Sequence, residues 1–199
     1  MIEVDIRSKC FAKVPVLKDV RFGIAKGETV ALVGPSGIGK TTLLRILCGI
    51  DGDFDGSVTR PPNQAIVLQE PTLLPWRSVL DNLRIVHPSL ARPQALQMLD
   101  RVGLEGKAAL FPGQLSLGQQ RRLSLARAFA GAPDLLIMDE PFASLDAETA
   151  DRMIALTARL IAETRPATLL VTHDPREAET LADRILTLVP QPDGATLSG

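Results

Sequence analysis

The chain contains no tyrosine and a single tryptophan, and aromatic residues make up only 4% of it. That leaves little material for stacking nucleic-acid bases, which single-strand binders do on aromatic platforms. Net charge is nearly absent as well: 22 Lys and Arg stand against 23 Asp and Glu, a formal charge of −1. A surface held mainly by nucleic-acid phosphates carries a basic excess, so no nucleic acid is expected among the partners. Cysteine is scarce. Cys10 and Cys48 are the only two, too few and too far apart for a disulfide framework or a metal cluster. They are expected to be buried thiols in a reducing compartment. No window approaches 18 uninterrupted apolar residues, so no membrane span is expected. The opening MIEVDIRSKC lacks the apolar stretch of a secretory signal, which points to a soluble, intracellular chain.

What is present is ordinary globular composition: 199 residues, 45% hydrophobic and 23% charged. A chain of this length buries roughly 70% of the surface it exposes when unfolded, so it needs no disulfide or metal staple. Disorder, collagen and coiled coil are excluded as overall descriptions. Ile2–Ile6 and Val16–Ile24 alternate apolar and polar residues, as half-buried strands do. Thr29–Val33 is a short, nearly continuous apolar run, suited to a strand buried on both faces. A glycine-rich stretch follows, and then helical apolar spacing over Thr41–Cys48. From Val79 to about Leu110 the apolar positions recur at helical spacing, broken by Pro88 and Pro93, and a longer helix is expected over Ser116–Ala130. The last third returns to alternation. Strands are expected at Asp134–Met138, Ala167–Thr172 and Ile185–Val189, with helices over Ala147–Thr164 and after Pro175. The segment from Pro190 onward has turn residues and no periodicity, and is expected to be a mobile tail.

Residues Gly34-Pro35-Ser36-Gly37-Ile38-Gly39-Lys40-Thr41 spell G-x-x-x-x-G-K-T, with Thr42 following. Each part suits a polyphosphate. Glycines let backbone N–H groups converge on phosphate oxygens without a Cβ in the way. A helix opening near Gly39 turns its positive end toward them. Lys40 supplies a point charge for the terminal phosphates, and the Thr41 hydroxyl is a ligand for Mg²⁺. The context agrees, since the loop follows a buried strand and opens a helix. Further on, Leu135–Met138 is an apolar strand running into Asp139 and Glu140, so it delivers one carboxylate to Mg²⁺ and places the next to polarise an attacking water. Ser116 is a plausible helix cap.

A phosphate loop alone leaves several ATPase and GTPase classes open. The stretch Leu115-Ser116-Leu117-Gly118-Gln119 narrows them, because it resembles the LSGGQ signature of the ATP-binding cassette (ABC) family. The resemblance continues in Asp139-Glu140-Pro141, in Ser144-Leu145-Asp146, in His173 after Val171-Thr172, and in Gln69 after Ala65–Leu68. It implies an α/β fold: a P-loop NTPase core of mostly parallel sheet flanked by helices. An N-terminal antiparallel β subdomain and an inserted helical subdomain over about 77–130 complete a single domain spanning 1–189, with 190–199 as the tail. It implies ATP and Mg²⁺ as cofactors, and two copies packed head to tail with two ATP molecules between them. In that arrangement Ser116, Gly118, Gln119 and Asp146 face the nucleotide of the other copy. Gln69 reaches Mg²⁺ and the water, and His173 holds the γ-phosphate or the water. An aromatic before the second strand stacks on adenine in this family. Phe11 stands at about that place, with a hydrophobic plug at a strand end as the alternative. Leu117 replaces the first signature glycine. Leucine is unfavourable there if φ must be positive and tolerable if the backbone is helical.

The stretch Gln69-Glu70-Pro71-Thr72-Leu73-Leu74-Pro75-Trp76-Arg77-Ser78-Val79 is similar to that of bacterial importer cassettes of the nitrate, sulfonate and taurine group. Leu73, Leu74 and Trp76 are either buried by the helical insert or form an apolar groove for a partner. The resemblance implies that the partner is a transmembrane permease, with a separate solute-binding protein, and that the chain sits peripherally on the cytoplasmic face of the inner membrane. Two other readings are a cassette ATPase working on nucleic acid or ribosomes and a regulatory module without chemistry. The neutral charge and the intact set Lys40, Asp139, Glu140 and His173 stand against them.

Overall fold

The computed structural model describes residues 1–198. Strands β1 (Ile2–Phe11) and β2 (Val14–Ile24) form an antiparallel ribbon, and β4 (Asp55–Thr59) pairs with the other edge of β1. The alternation in β1 does what the sequence predicts. Ile2, Val4 and Ile6 are buried, while Glu3, Asp5 and Arg7 are exposed. Past Ile6 the strand continues through a bulge at Lys9/Cys10 to Phe11.

The second sheet carries the chemistry. It comprises β3 (Thr29–Val33), β5 (Gln64–Val67), β6 (Leu135–Asp139), β7 (Ala167–Val171), β8 (Arg184–Val189) and β9 (Thr196–Ser198). Their order across the sheet is β5-β6-β7-β3-β8-β9, parallel throughout except for β9. The parallel strands β3, β6 and β7 are buried on both faces, and their side chains divide between two cores. Leu136, Met138 and Leu170 join one core with the helices α2 (Val79–Arg84), α3 (Arg92–Arg101), α4 (Leu117–Phe129) and α5 (Ala147–Thr164). Leu135, Ile137, Leu169 and Val171 join the other, with β1, β2 and the helix α1 (Lys40–Leu47). The short helix α6 (Pro175–Leu181) and a 3₁₀ turn over Pro112–Gln114 complete the described elements. No helix among the described residues is long and apolar enough to cross a membrane.

Two expectations need correction, and one element goes beyond them. The segment 190–199 is expected to be a mobile tail, yet within it β9 pairs with β8, and Ala195 is buried. Ala195 N–H donates to the Val16 carbonyl at 2.9 Å and its own carbonyl accepts from Lys18 N–H at 2.8 Å, so backbone pairing supplies what the side-chain pattern does not announce. Gly199 lies outside the described residues. The cysteines are not both buried: Cys10, at the β1 bulge, is exposed, and only Cys48 is partly covered. Burial raises the Cys48 thiol to about 11, which leaves it protonated and inert. Finally, β4 was not anticipated, because Asp55-Gly56-Ser57-Val58-Thr59 is mostly exposed and lacks apolar alternation.

Candidate nucleotide site

Every parallel strand of the second sheet points its C-terminal end toward the same edge, where open α/β sheets bind ligands. The loop 34–39 leaves β3 there. Gly39 takes φ 115° at the start of α1, and a Cβ on it would meet Leu17 Cδ2 at 3.0 Å and Val16 Cγ1 at 3.1 Å, so glycine is required both by conformation and by space. Gly37, at φ 76°, is the second left-handed turn of the loop. Lys40 is the first residue of α1, and its Nζ donates to the Gly34 and Pro35 carbonyls at 2.8 and 3.0 Å, folding the side chain over its own loop. Ile38 packs into the adjoining core.

Around this loop lies an open cleft of about 360 Å³. Phe11, Ser36, Gly37, Gly39, Lys40, Thr41, Thr42, Asp139 and Glu140 line it, all singled out from the sequence, together with Val16, which was not. Val16 is an apolar residue on a strand facing the loop, and nothing in its local pattern separates it from core positions. Asp139 ends β6. Burial, and then the neighbouring Glu140, push its carboxyl above the usual carboxylate range, with Lys40 pulling the other way. Glu140 takes a left-handed backbone, φ 46°, which costs a non-glycine residue about 1 kcal/mol and aims the side chain off the strand line. Its N–H donates to the Val171 carbonyl at 2.9 Å, fastening it to the tip of β7. His173, two residues beyond β7, brings Nδ1 to 3.4 Å from Glu140 Oε2. Gln69 is exposed just past β5, the edge strand, and does not line the cleft.

The remaining singled-out residues gather elsewhere. Ser116 caps α4: its Oγ accepts from Gln119 N–H at 3.3 Å, and Gln119 Oε1 accepts from Ser116 N–H at 3.1 Å, a reciprocal capping box. Asp146 caps α5 by accepting from Thr149 N–H at 3.0 Å, and that hydrogen bond holds its carboxyl below the usual range. Ser116, Leu117, Gly118 and Asp146 line a separate hollow of about 770 Å³ between α4 and α5. Leu117 has an ordinary helical start with no positive φ, so its Cβ is tolerated, and its side chain is 47% exposed. Gly118 is the position where close approach matters, since a Cβ there would sit 3.3 Å from Thr149 Cγ2. One link joins this helix to the cleft. Arg121, buried, donates through Nη1 to the Pro141 carbonyl at 2.6 Å and through Nη2 to that of Ala143. The sequence showed only a basic residue after a helix start, with no sign that it turns inward.

The proline-punctuated loop divides between the two outcomes left open. Leu73 packs against the helical core, whereas Trp76 is 68% exposed. Two polar side chains, the buried Asn82 and the partly buried Arg127, fix the loop. Asn82, at 0% exposure, accepts from Leu74 N–H at 2.7 Å and donates to the carbonyls of Leu74, Arg77 and Ser78 at 3.0 Å each. Arg127 donates to the Pro71 and Thr72 carbonyls at 3.1 and 3.0 Å.

A glycine loop on a helix start, facing a half-buried carboxylate pair at the carboxyl edge of a parallel sheet, defines a nucleoside-triphosphate-hydrolysing cassette. Residues 17–143 match the family model described as "ABC transporter", and the chain belongs to that family of ATPases. It is 49% identical over 187 residues to the aliphatic sulfonates import ATP-binding protein SsuB 1 of Paracoccus denitrificans, covering 91% of this chain and 76% of that one. It is 42% identical over 202 residues to an SsuB 2 protein of Burkholderia lata, covering 96% and 74%. Among solved structures, a dimeric ATP-binding cassette in a post-hydrolysis state with ADP and Pi superposes with a TM-score of 0.81 at 28% identity, over 100% of this chain and 97% of that one. A second dimeric bacterial ABC transporter cassette superposes with a TM-score of 0.82 at 29% identity. These likenesses agree with the P-loop core, the antiparallel β subdomain and the helical insert.

Proposed function

We propose that this ATPase powers a bacterial importer of a small oxyanion-bearing solute, an aliphatic sulfonate first, with nitrate and taurine in the same group. The observation that carries the mechanism is the division of the site. The phosphate cleft and the capped start of α4 open as separate hollows of one chain with no lining residue in common, which supports a nucleotide shared between two copies. A head-to-tail pair supplies both halves twice.

In this reading the loop 34–39 and the start of α1 take the phosphates, Lys40 leaves its own carbonyls for the terminal phosphates, and Phe11 faces the base. Ser116, Gly118, Gln119 and Asp146 serve the nucleotide of the other copy. Glu140 accepts the proton of the attacking water as its oxygen bonds to the γ-phosphorus and the bond to the bridging oxygen breaks, releasing ADP and inorganic phosphate, and His173, beside Glu140, holds the γ-phosphate or that water in place. Gln69 joins from β5 when the sheet edge closes. The donors suit Mg²⁺: Thr41 and Asp139 would offer hard oxygens, and the half-buried Asp139 carboxylate stands beside the like-charged Glu140. No group of three or more His, Cys, Asp or Glu among the described residues could hold a metal alone. When bound with the phosphates, Mg²⁺ would neutralise charge developing on the transferred group. The exposed Trp76 and its pinned loop receive the permease, which places the chain on the cytoplasmic face of the inner membrane beneath a complex served by a solute-binding protein.

Expression of the chain with its permease in cells lacking sulfonate uptake tests this. Uptake of an alkanesulfonate should appear, and should vanish with Glu140→Gln. Uptake of nitrate alone would replace the assigned solute, and uptake that survives Glu140→Gln would overturn the mechanism.

A further inference from the structure

Among the described residues Lys9 is the one buried lysine besides Lys40, and the nucleotide chemistry above does not use it. Its residue exposure is 2%. Burying an ammonium is costly unless it is paired, and here three partners meet it. Nζ donates to Asp51 Oδ1 at 2.9 Å and to the Asp53 carbonyl, and stands 3.5 Å from Asp53 Oδ2. It also lies over the ring of Phe11, 4.6 Å from the centroid, within the range at which a cation is attracted to an aromatic face. The bulge between Lys9 and Cys10 turns this end of β1.

Phe11 lines the phosphate cleft and Lys9 does not, so the ammonium backs the ring from the protein side. Asp51 and Asp53 belong to the segment directly after α1, the helix whose first residue is Lys40. Asp51 N–H donates to the Arg45 carbonyl of that helix at 3.1 Å, so the acidic pair is fastened to it. An otherwise isolated phenylalanine at a strand end is thereby tied, through one buried cation, to the helix that carries the phosphate loop.

We propose that Lys9 is a positioning residue for the nucleotide base: it fixes the Phe11 ring at a set distance from the phosphate loop, and it sets affinity for the base without contacting it. The inference rests on the reading of Phe11 as the base platform. A ring left to rotate must be ordered by the ligand at the ligand's expense, and a ring already held by the ammonium need not be.

The test compares ATP with inorganic tripolyphosphate, which has the phosphates and no base, by calorimetry on the full chain. Lys9→Met keeps the stem and removes the charge. It should weaken ATP about threefold to tenfold while tripolyphosphate stays within about twofold, because a single cation–π contact and its ordering effect are of that size. Loss of folded protein would weaken both ligands equally, so their ratio reports only on the base. Phe11→Ala should lower the same ratio, and adding Lys9→Met to it should lower it no further. Lys9→Arg, which keeps a cation over the ring, should restore it.

Three results overturn the proposal in distinguishable ways. If Phe11→Ala leaves the ratio unchanged, the base platform itself is wrong. If Phe11→Ala lowers the ratio and Lys9→Met does not, the platform stands and Lys9 is only a structural ion. If the two effects add, Lys9 acts on the base independently of the ring. Should Lys9→Met not fold, Asp51→Asn carries the test. It slackens the ammonium without removing it, so the ratio should fall, and an unchanged ratio rejects the role.

Discussion

His173 Nδ1 stands 3.4 Å from Glu140 Oε2, although the two residues come from different strands and are separated by the whole of α5 and β7. The contact exists because Glu140 is bent into a left-handed backbone and fastened by its N–H to the Val171 carbonyl. The carboxylate proposed to take the water's proton is therefore placed by main-chain geometry, which survives a change of side chain.

That permits a clean separation of binding from turnover. Glu140→Gln should keep ATP affinity and lower the hydrolysis rate by about 10²–10⁴-fold, the usual cost of losing a general base. With ATP the variant should run as a dimer of twice the monomer mass, and without nucleotide as a monomer. Tight ATP binding with no dimer by size exclusion or crosslinking would reject the head-to-tail assignment.

Lys40→Ala should behave differently. Its Nζ is the buried cation over the loop, and its removal leaves the phosphates without their nearest neutralising charge. Affinity for ATP should drop by more than about tenfold, with hydrolysis falling below detection. Unchanged turnover in a coupled phosphate-release assay would contradict the role.

Asp139 carries a pH signature. Its carboxyl is raised above the unfolded value by burial and then by Glu140, so the folded state holds its proton more tightly than the unfolded state. In the window between the unfolded and the folded pKa, stability therefore falls as pH rises, and at neutral pH the ionised group is a net cost. Asp139→Asn should raise the melting temperature of the nucleotide-free protein at pH 7. The gain should shrink as pH falls through that window, while Mg²⁺-dependent hydrolysis is lost. A gain that is the same at acid and neutral pH would mean packing, not charge, is responsible.

The proline-punctuated loop yields a paired test. Trp76 is largely exposed, so Trp76→Ser should change stability by less than about 0.5 kcal/mol yet reduce recovery of the chain with permease-containing membranes. Leu73 packs on the helical core, so Leu73→Ala should lower stability by about 1–2 kcal/mol in chemical denaturation. Equal losses of stability in both variants would place Trp76 in the core as well.

Where side chains carry periodicity or a fixed motif, the sequence was readable. The helix over Ala147–Thr164 was placed to the residue, because Asp146 caps it and Pro166 lies just past its end. The phosphate loop and Asp139 were legible from residue type and spacing alone, as was the capping role of Ser116. Elements held by backbone pairing were not. β4 is mostly exposed along its length, and β9 follows a turn-rich stretch. Lys9 lies beyond the alternating run Ile2–Ile6 and carries no local sign of its burial, which only the later Asp51 and Asp53 make possible. Likewise nothing near Gln69 reveals that its strand is at the sheet edge, which is why it stands apart from the cleft.

The strand order has a mechanical corollary. β7 lies between β3, which launches the phosphate loop, and β6, which ends in Asp139. Neighbouring strands are about 4.8 Å apart, so this one intervening strand holds the two halves of the cleft at a gauge of about 9–10 Å. All five residues of β7 are buried, and its tip runs on into Thr172 and His173. The spacer is thus also the arm that carries the histidine. A substitution deep in β7 that pushes the sheet apart would detune the jaw opening and the histidine's reach together, without touching any residue that meets the nucleotide.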